Sequence, residues 1–371
     1  MNAGWIYPHR ERCGIARYSL DYIDALSNAV NVIDIDPRWW IDDRERLISA
    51  IDNCDILHVQ YDTVAFMDKN RDCYTAMMGQ VTVPVIVTLH EVHDEDPAVF
   101  PRTRLAGPFP LIPLKQIIWD LRHPVQRTFE RHLRAHFHAQ TLIVHHRYHV
   151  DILTRKGIPE SFLRIIPMPI KKTSPIQHFV FPGLPSVNIA AAGFINPAFD
   201  YELLFNVLER IQRPWFFTWI GGLRSSEQQP LLETIKTRIV HSGWDDRFFI
   251  TGWVDEMDMS SRLAATDIAF AFFRSRSSSA SISRVMGAGK PIIATNLPLT
   301  EEIAASNTTG EPPLLLTSAD PEHIVALIEE LIADTGLRRR LFEGLSTYIE
   351  SVTMERTSRA LINLYHKVVT R

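Results

Sequence analysis

The 371-residue chain has little with which to staple or anchor itself. Its only cysteines, Cys13, Cys54 and Cys73, lie well apart in no ligand-like spacing. That excludes a disulfide framework and a cysteine-based zinc site, and it points to a reducing compartment. No uninterrupted apolar stretch is long enough to span a bilayer. The opening residues, MNAGWIYPHR, reach charge after a handful of positions and lack the apolar core of a signal peptide. Nor is there a basic surplus: 39 Lys and Arg stand against 43 Asp and Glu, a net charge of -4. A general nucleic-acid binder is thereby excluded, since affinity for a phosphate backbone rests on a basic footprint. A cytoplasmic protein is expected.

What is present is apolar content, 46% over a length that suits two domains with a core each. Short apolar runs at 4–7, 30–35, 56–59, 85–89, 141–144 and 164–166 predict strands, with helix-like spacing between them at 15–27, 43–53 and 150–156. Residues 171–185 break the pattern with three prolines and a glycine and read as a linker. The theme then restarts, with strands expected at 187–191, 215–220, 248–251, 268–272, 291–294 and 314–316, and helices at 322–333, 337–351 and 354–369. Such alternation predicts an α/β protein of two Rossmann-like, doubly wound parallel-sheet domains, 1–170 and 186–351, followed by a closing helical segment, 352–371. Ligands of open α/β sheets bind beyond the carboxyl ends of the strands, so a cleft between two facing sheets is expected to hold the site, and the loops after strands carry the argument.

The most informative loop runs from Asp267 to Thr295. An apolar strand passes into Arg274-Ser-Arg-Ser-Ser-Ser-Ala-Ser-Ile-Ser-Arg284, a short helix, Gly-Lys-Pro and a second apolar run. Serines at the start of a helix add side-chain donors to backbone N–H groups at the positive end of the dipole, a seat for phosphate. Gly14 lies where a helix follows the first strand, either a tight turn or a place where backbone approaches a ligand. His90 ends a strand and should project its ring from the carboxyl edge; His145 ends another, with Tyr148 nearby, whereas His58 sits within a strand and reads as core. Asp94-Glu-Asp96 has the spacing of a metal-binding carboxylate motif, or is a solvated turn. Residues 113–137 interleave Trp119, Leu121, Phe129 and Leu133 with Lys115, Arg122, Arg127, Arg131 and Arg134. That pattern fits either a surface helix or peripheral contact with the inner face of a membrane.

Taken in order, these stretches resemble a known family. ERCGIARYS (11–19), DILHVQ (55–60), PVIVTLHE (84–91), LIVHHRY (142–148), RIIPMP (164–169) and FFITGWV (248–254), together with the serine loop, look like the retaining GT-B glycosyltransferases of the family-4 type. The resemblance covers nearly the whole chain. It implies two Rossmann-like domains, a last helix returning to the first domain, and transfer of a sugar from a nucleotide diphosphate to a glycan or lipid-linked acceptor, as in polysaccharide biosynthesis. It also implies a metal-independent reaction without a cofactor, which sets aside Asp94-Glu-Asp96 as a metal site. His90 would stand beside the donor sugar as the catalytic residue, with Tyr61, His145 and Tyr148 on the acceptor side. The donor would meet Gly14, Gly193, Trp253, Val254, Arg274, Arg276, Ser277, Ser278, Ser279, Ser281 and Arg284.

The chain departs from the family at the donor. Two glutamates usual around the phosphate-binding helix are replaced by Arg276 and Arg284, and guanidinium groups cannot accept a ribose hydroxyl. A lysine and glycine usual after Gly193 are replaced by Phe199 and Asp200. Either the arginines supply the missing positive charge, or the donor site is degenerate and the chain is a non-catalytic partner of an active enzyme. A nucleotide-sugar epimerase would need carboxylate and histidine acid-base groups converging on the anomeric carbon; no such set is evident.

Overall fold

The computed structural model describes residues 1–10, 12–68, 71–95, 124–173, 186–306 and 310–370. It divides into two compact units, Met1–Pro167 with Glu355–Arg371, and Met168–Met354.

The first unit contains strands β1 (Asn2–Ile6), β2 (Asn31–Ile35), β3 (Ile56–Tyr61), β4 (Met67–Asp68), β5 (Arg71–Asp72), β6 (Val85–Leu89), β7 (Thr141–Val144) and β8 (Leu163–Ile165). Its helices are α1 (Gly14–Leu26), α2 (Trp39–Asp42), α3 (Arg44–Asp52), α4 (Cys73–Met78), α5 (Pro124–Ala135) and α6 (Arg147–Arg155). Apart from the β4–β5 ribbon, the strands form one six-stranded parallel sheet of order β2-β1-β3-β6-β7-β8. Val85-Ile-Val-Thr-Leu89 and Thr141-Leu-Ile-Val144 are buried along their whole length, as strands covered on both faces must be. Successive side chains alternate between those faces. From β3, Leu57 and Val59 enter an apolar cluster with Leu47, Ile51, Tyr74, Met77 and Leu142. His58 and Gln60 go to the opposite face, where Trp5 packs on Tyr22 of α1 and on His58.

The second unit contains β9 (Val187–Ala192), β10 (Trp215–Ile220), β11 (Phe248–Ile250), β12 (Ile268–Ala271), β13 (Ile292–Thr295) and β14 (Leu315–Thr317). Between and after them lie α7 (Tyr201–Arg210), α8 (Gln229–His241), α9 (Glu256–Ala264), α10 (Ala280–Gly287), α11 (Pro298–Ala305), α12 (Pro321–Ala333) and α13 (Thr335–Ser351). Its sheet, again six-stranded and parallel, has the order β11-β10-β9-β12-β13-β14. Most of its helices start on a short oxygen side chain that accepts a backbone N–H two or three residues on: Asp200 for α7, Asp255 for α9, Ser279 for α10, Asp320 for α12 and Asp334 for α13. The two sheets are not copies. In chain order the second runs 3-2-1-4-5-6, the dinucleotide-fold order, and the first 2-1-3-4-5-6, the order typical of flavodoxin-like sheets.

The last helix, α14 (Met354–Val369), belongs to the first unit from Glu355 onward. Leu361, Tyr365 and Val368 are buried at i, i+4 and i+7, one apolar stripe. The expected linker lies outside the described residues from 174 to 185, as do Asp96 and residues 113–123 of the basic amphipathic segment.

Candidate active site

In the second sheet the strand order reverses between β9 and β12, which opens a crevice at their carboxyl ends. The loops that leave those ends are where the chain concentrates glycine and serine. Gly193, just after β9, has φ +114° and donates its N–H to the Ile220 carbonyl at 3.0 Å. Its own carbonyl accepts from Trp219 Nε1 at 2.9 Å. A Cβ on Gly193 would lie 3.2 Å from Ser281 Cβ and 3.3 Å from Ser281 Oγ. The β9 loop therefore rests on the start of α10, where a side chain would press on Ser281. The β10 loop is tighter still: a Cβ on Gly221, whose φ is +141°, would lie 2.1 Å from the Gly193 carbonyl oxygen. Gly221→Ala is accordingly expected to destabilise the second unit by about 2–4 kcal/mol, strain and clash combined. A lowered urea midpoint for that unit checks it, and an unchanged midpoint contradicts the close packing of these loops.

Around this contact the residues close into a ring. Phe194, next to Gly193, stacks on Trp253 with ring centroids 5.9 Å apart and planes at 19°. Trp253 is 48% exposed and so offers a flat apolar face to solvent; Val254, half-buried, follows it. Glu256, in the first turn of α9, meets Arg284 of α10 at 3.6 Å. Arg284 lies three residues after Ser281, on the same side of α10. The ring thus combines an aromatic platform, a carboxylate paired with a guanidinium, and the amino end of a helix.

The serines divide in use. Ser279 is buried and caps α10, its Oγ 3.3 Å from Ile282 N and 3.0 Å from Ser281 Oγ. Ser277 is buried too, while Ser278 and Ser281 are partly exposed. The three arginines, any one of which was expected to supply charge to a phosphate, are held in three different ways. Arg274 is held by Asp200 at 2.9 Å, through the same carboxylate oxygen that caps α7 at Leu203 N. The Arg274 guanidinium, with hydrogen bonds from the backbone, holds the Asp200 carboxyl below the usual range against the opposing effect of burial. Arg276 lies 5.0 Å over the ring of Phe273, and Arg284 is one turn into the helix, facing Glu256. The cause is the helix start at Ala280: 274–276 are loop residues, whereas Arg284 follows the helical phase. Asp200, read from sequence as a departure, is a helix cap.

In the first unit, Gly14 is the first residue of α1, and a Cβ there would meet nothing within 4 Å. Cys13 precedes it without a side-chain cap. His90 corrects an expectation. Its ring does not stand out from the sheet edge but is buried, 4% exposed, edge-on to Tyr18. Its Nε2 lies 2.9 Å from Gln60 Oε1 and its Nδ1 3.4 Å from His145 Nε2. His145 Nδ1 in turn donates to the Ile166 carbonyl at 2.9 Å. Burial pushes the His90 ring well below the ordinary histidine value and His145 down to about 4, so both are neutral at neutral pH. His58, 1% exposed, is core as read.

Tyr61 and Tyr148 are not brought to His90. Tyr61 follows Gln60 by one residue and so points to the other face, where its hydroxyl meets His132 Nδ1 at 2.7 Å and its ring packs near Tyr74. Tyr148 packs against that same apolar cluster and beside His146 and His149. Asp94 is engaged by Arg155 at 2.7 Å. Among the described residues no three His, Cys, Asp or Glu side chains gather as a metal site, and no helix is long and apolar enough to cross a membrane. Sequence reasoning missed Phe194, Glu256, Gln60, Tyr18 and Tyr365. An aromatic after Gly193 and an acid at a helix start were visible as residue types, but their pairing was not.

Comparison with known proteins agrees with this geometry. Residues 187–334 match the family model described as glycosyl transferases group 1. No curated protein sequence matches the chain. Among solved structures it is similar to Anabaena HepE in complex with UDP, with 12% identity, a TM-score of 0.71 and coverage of 99% of this chain and 100% of that one. HepE is also solved with UDP-glucose. Sucrose-phosphate synthase from Thermosynechococcus elongatus matches with 13% identity, a TM-score of 0.67 and coverage of 100% and 99%. The lipopolysaccharide outer core galactosyltransferase WaaB matches with 12% identity, a TM-score of 0.62 and coverage of 99% and 100%. The chain has the GT-B fold of these solved glycosyltransferases, and its match to the group 1 family lies wholly within the second unit.

Proposed function

We propose that the chain transfers a glycosyl group from a nucleoside diphosphate sugar to a glycan or lipid-linked acceptor, with retention of configuration and without a metal. The observation that carries this reading is the approach of Gly193 to Ser281 at the amino end of α10, where the strand order reverses. The amides there and the Ser278 and Ser281 hydroxyls suit a diphosphate. The Phe194–Trp253 platform suits the base, and the Glu256 carboxylate, held by Arg284, can accept the ribose hydroxyls that no arginine can. Uridine is the first base to test, because HepE binds UDP.

In the reaction the bond from the anomeric carbon to the diphosphate oxygen breaks and a bond to the acceptor oxygen forms. The acceptor's proton passes to the departing diphosphate. The protein's share is to hold the acceptor hydroxyl in place and to stabilise the charge growing on the leaving group through the α10 amides and Arg276. His90 is carried over from the family resemblance as the residue beside the transferred sugar. Neutral and buried, it acts as a hydrogen-bond donor through its ring, with no part as a general acid.

Titration with nucleoside diphosphates tests the site. Arg276→Ala and Arg284→Ala are each expected to weaken binding roughly ten- to a hundred-fold, the scale of a lost charge-assisted hydrogen bond. Arg274→Ala, whose guanidinium is already held by Asp200, should change affinity less than about threefold. Equal effects at all three arginines would contradict the division drawn here. The second reading, a non-catalytic partner, is favoured by Arg276 and Arg284 standing where related enzymes have glutamates. It predicts that no nucleotide binds.

A further inference from the structure

The ring in the second unit is made of three contacts. Gly193 rests on Ser281 at the amino end of α10, Phe194 stacks on Trp253, and Arg284 meets Glu256 at 3.6 Å. Chain connectivity closes it. Phe194 follows Gly193, Glu256 lies three residues after Trp253, and Arg284 lies three after Ser281. A nucleoside diphosphate with its base on the exposed face of Trp253 and its phosphates at the α10 amides leaves one part to place, the sugar that joins them. The ring has one contact left to meet that sugar, Glu256 with Arg284.

Helix formation does not account for an acid at position 256. Asp255 already caps α9, accepting from Asp258 N at 2.8 Å, and Asp258 itself brings a negative charge to the first turn. Beside a diphosphate a further carboxylate is unfavourable, since like charges repel, unless donors of the ligand face it. Phosphate oxygens are acceptors. Ribose hydroxyls can donate, and a carboxylate accepts at both of its oxygens, which the guanidinium beside it cannot do. Pairing with Arg284 offsets the charge and sets where the carboxylate stands. The pair therefore suits a neutral, hydroxylated sugar.

We propose that Glu256 selects ribonucleoside over 2′-deoxyribonucleoside diphosphates by accepting the 2′-hydroxyl, with Arg284 as its positioning residue. This rests on the reading of the ring as the nucleotide site. A site that takes a hydrogen bond from a ligand hydroxyl rejects the analogue lacking it, because its polar group is left without that donor. The Glu256 side chain is 40% exposed, so water replaces the missing hydroxyl in part. The discrimination is then about tenfold, one charge-assisted hydrogen bond at the weak end of its range. Sugars linked to dTDP, which lacks that hydroxyl, are accordingly poor donors.

Calorimetric titration with matched pairs, UDP and 2′-deoxy-UDP, ADP and 2′-deoxy-ADP, GDP and 2′-deoxy-GDP, reads the selection without any variant. In the pair that binds most tightly, the ribose member is expected to bind about tenfold tighter than its partner. Glu256→Gln keeps an acceptor oxygen without the charge and should narrow the ratio to about threefold, and Glu256→Ala should bring it within about twofold of unity. Arg284→Ala should narrow it too, while lowering the affinity of both members. Damage to the fold would weaken both members alike and leave the ratio as it was, so the ratio is the readout. Equal binding of both members by the wild type overturns the proposal, as does a Glu256→Ala chain that keeps the tenfold ratio. In either case the ring still binds nucleotide, and the proposed function stands. An Arg284→Ala chain with the full ratio overturns the part given to Arg284. No binding of any pair fails the nucleotide reading itself, and the proposal with it.

Discussion

Acidifying the protein from pH 7.5 to pH 5.5 is expected to unfold the first unit while the second stays folded. His58, His90, His136 and His145 are buried in the first unit, and burial lowers the pKa of each, to about 3 for His58 and His136 and about 4 for His145. The sign follows from proton counting. Below the unfolded value near 6.5 the unfolded chain takes up protons that the folded one refuses, so stability is complete above that pH and is lost as pH falls through it toward the folded values. One pH unit below 6.5, each such histidine removes roughly 1.4 kcal/mol, and four together remove an amount comparable to the whole stability of a domain. In the second unit the described histidines, His241 and His323, are exposed, so no comparable loss is expected there. Peptide-resolved hydrogen exchange at pH 7.5 and pH 5.5 separates the two. Loss of protection in β3, β6 and β7 ahead of β9, β10 and β12 is the expected pattern, and simultaneous loss in both units would contradict it.

Removing the His90 ring is expected to have the largest effect on catalysis. His90→Ala should lower turnover about a hundredfold or more, the scale of one preorganised donor at a reacting centre, and leave nucleoside diphosphate affinity within about threefold of wild type. The affinity should persist because the residues proposed for the diphosphate and base lie in the second unit. The variant also takes the His90 partner away from the Gln60 side-chain amide and from His145 Nε2, a cost of about 1–3 kcal/mol for each orphaned atom. Folding must therefore be verified by the retained nucleotide affinity and by the urea midpoint. Turnover within a few-fold of wild type in a folded variant would remove His90 from the mechanism.

The two parallel sheets were legible because a strand buried on both faces has to be written in apolar residues. Val85-Ile-Val-Thr-Leu89 and Thr141-Leu-Ile-Val144 have the same limits in sequence and structure. The helices Tyr201–Arg210, Gln229–His241, Glu256–Ala264 and Pro298–Ala305 were not singled out, since their apolar positions merge with those of the neighbouring strands. The candidate site was half legible. Gly193, Trp253 and the serine loop follow strands, and position after a strand is readable. Contacts that depend on phase were not. Tyr61 was grouped with His145 and Tyr148 on the acceptor side, although one residue along a strand reverses the face, and it is Gln60 that reaches the His90 and His145 side. Arg274 was offered to phosphate because Asp200, 74 positions away, could not be seen to claim it. The Tyr365–His58 contact spans 307 positions and leaves no local signal.

The central claim, that this chain takes a nucleoside diphosphate sugar and moves its sugar, is tested most directly by incubating the purified protein with UDP-, GDP-, ADP- and dTDP-linked sugars, with and without cell-derived glycan or lipid-linked acceptors, and following the nucleoside diphosphate released. Release from one nucleotide class, faster with acceptor and lost on His90→Ala, is the predicted result. No release from any of them, with no binding of the four diphosphates by calorimetry, would contradict the account and leave Arg276 and Arg284 as marks of a donor site that no longer works.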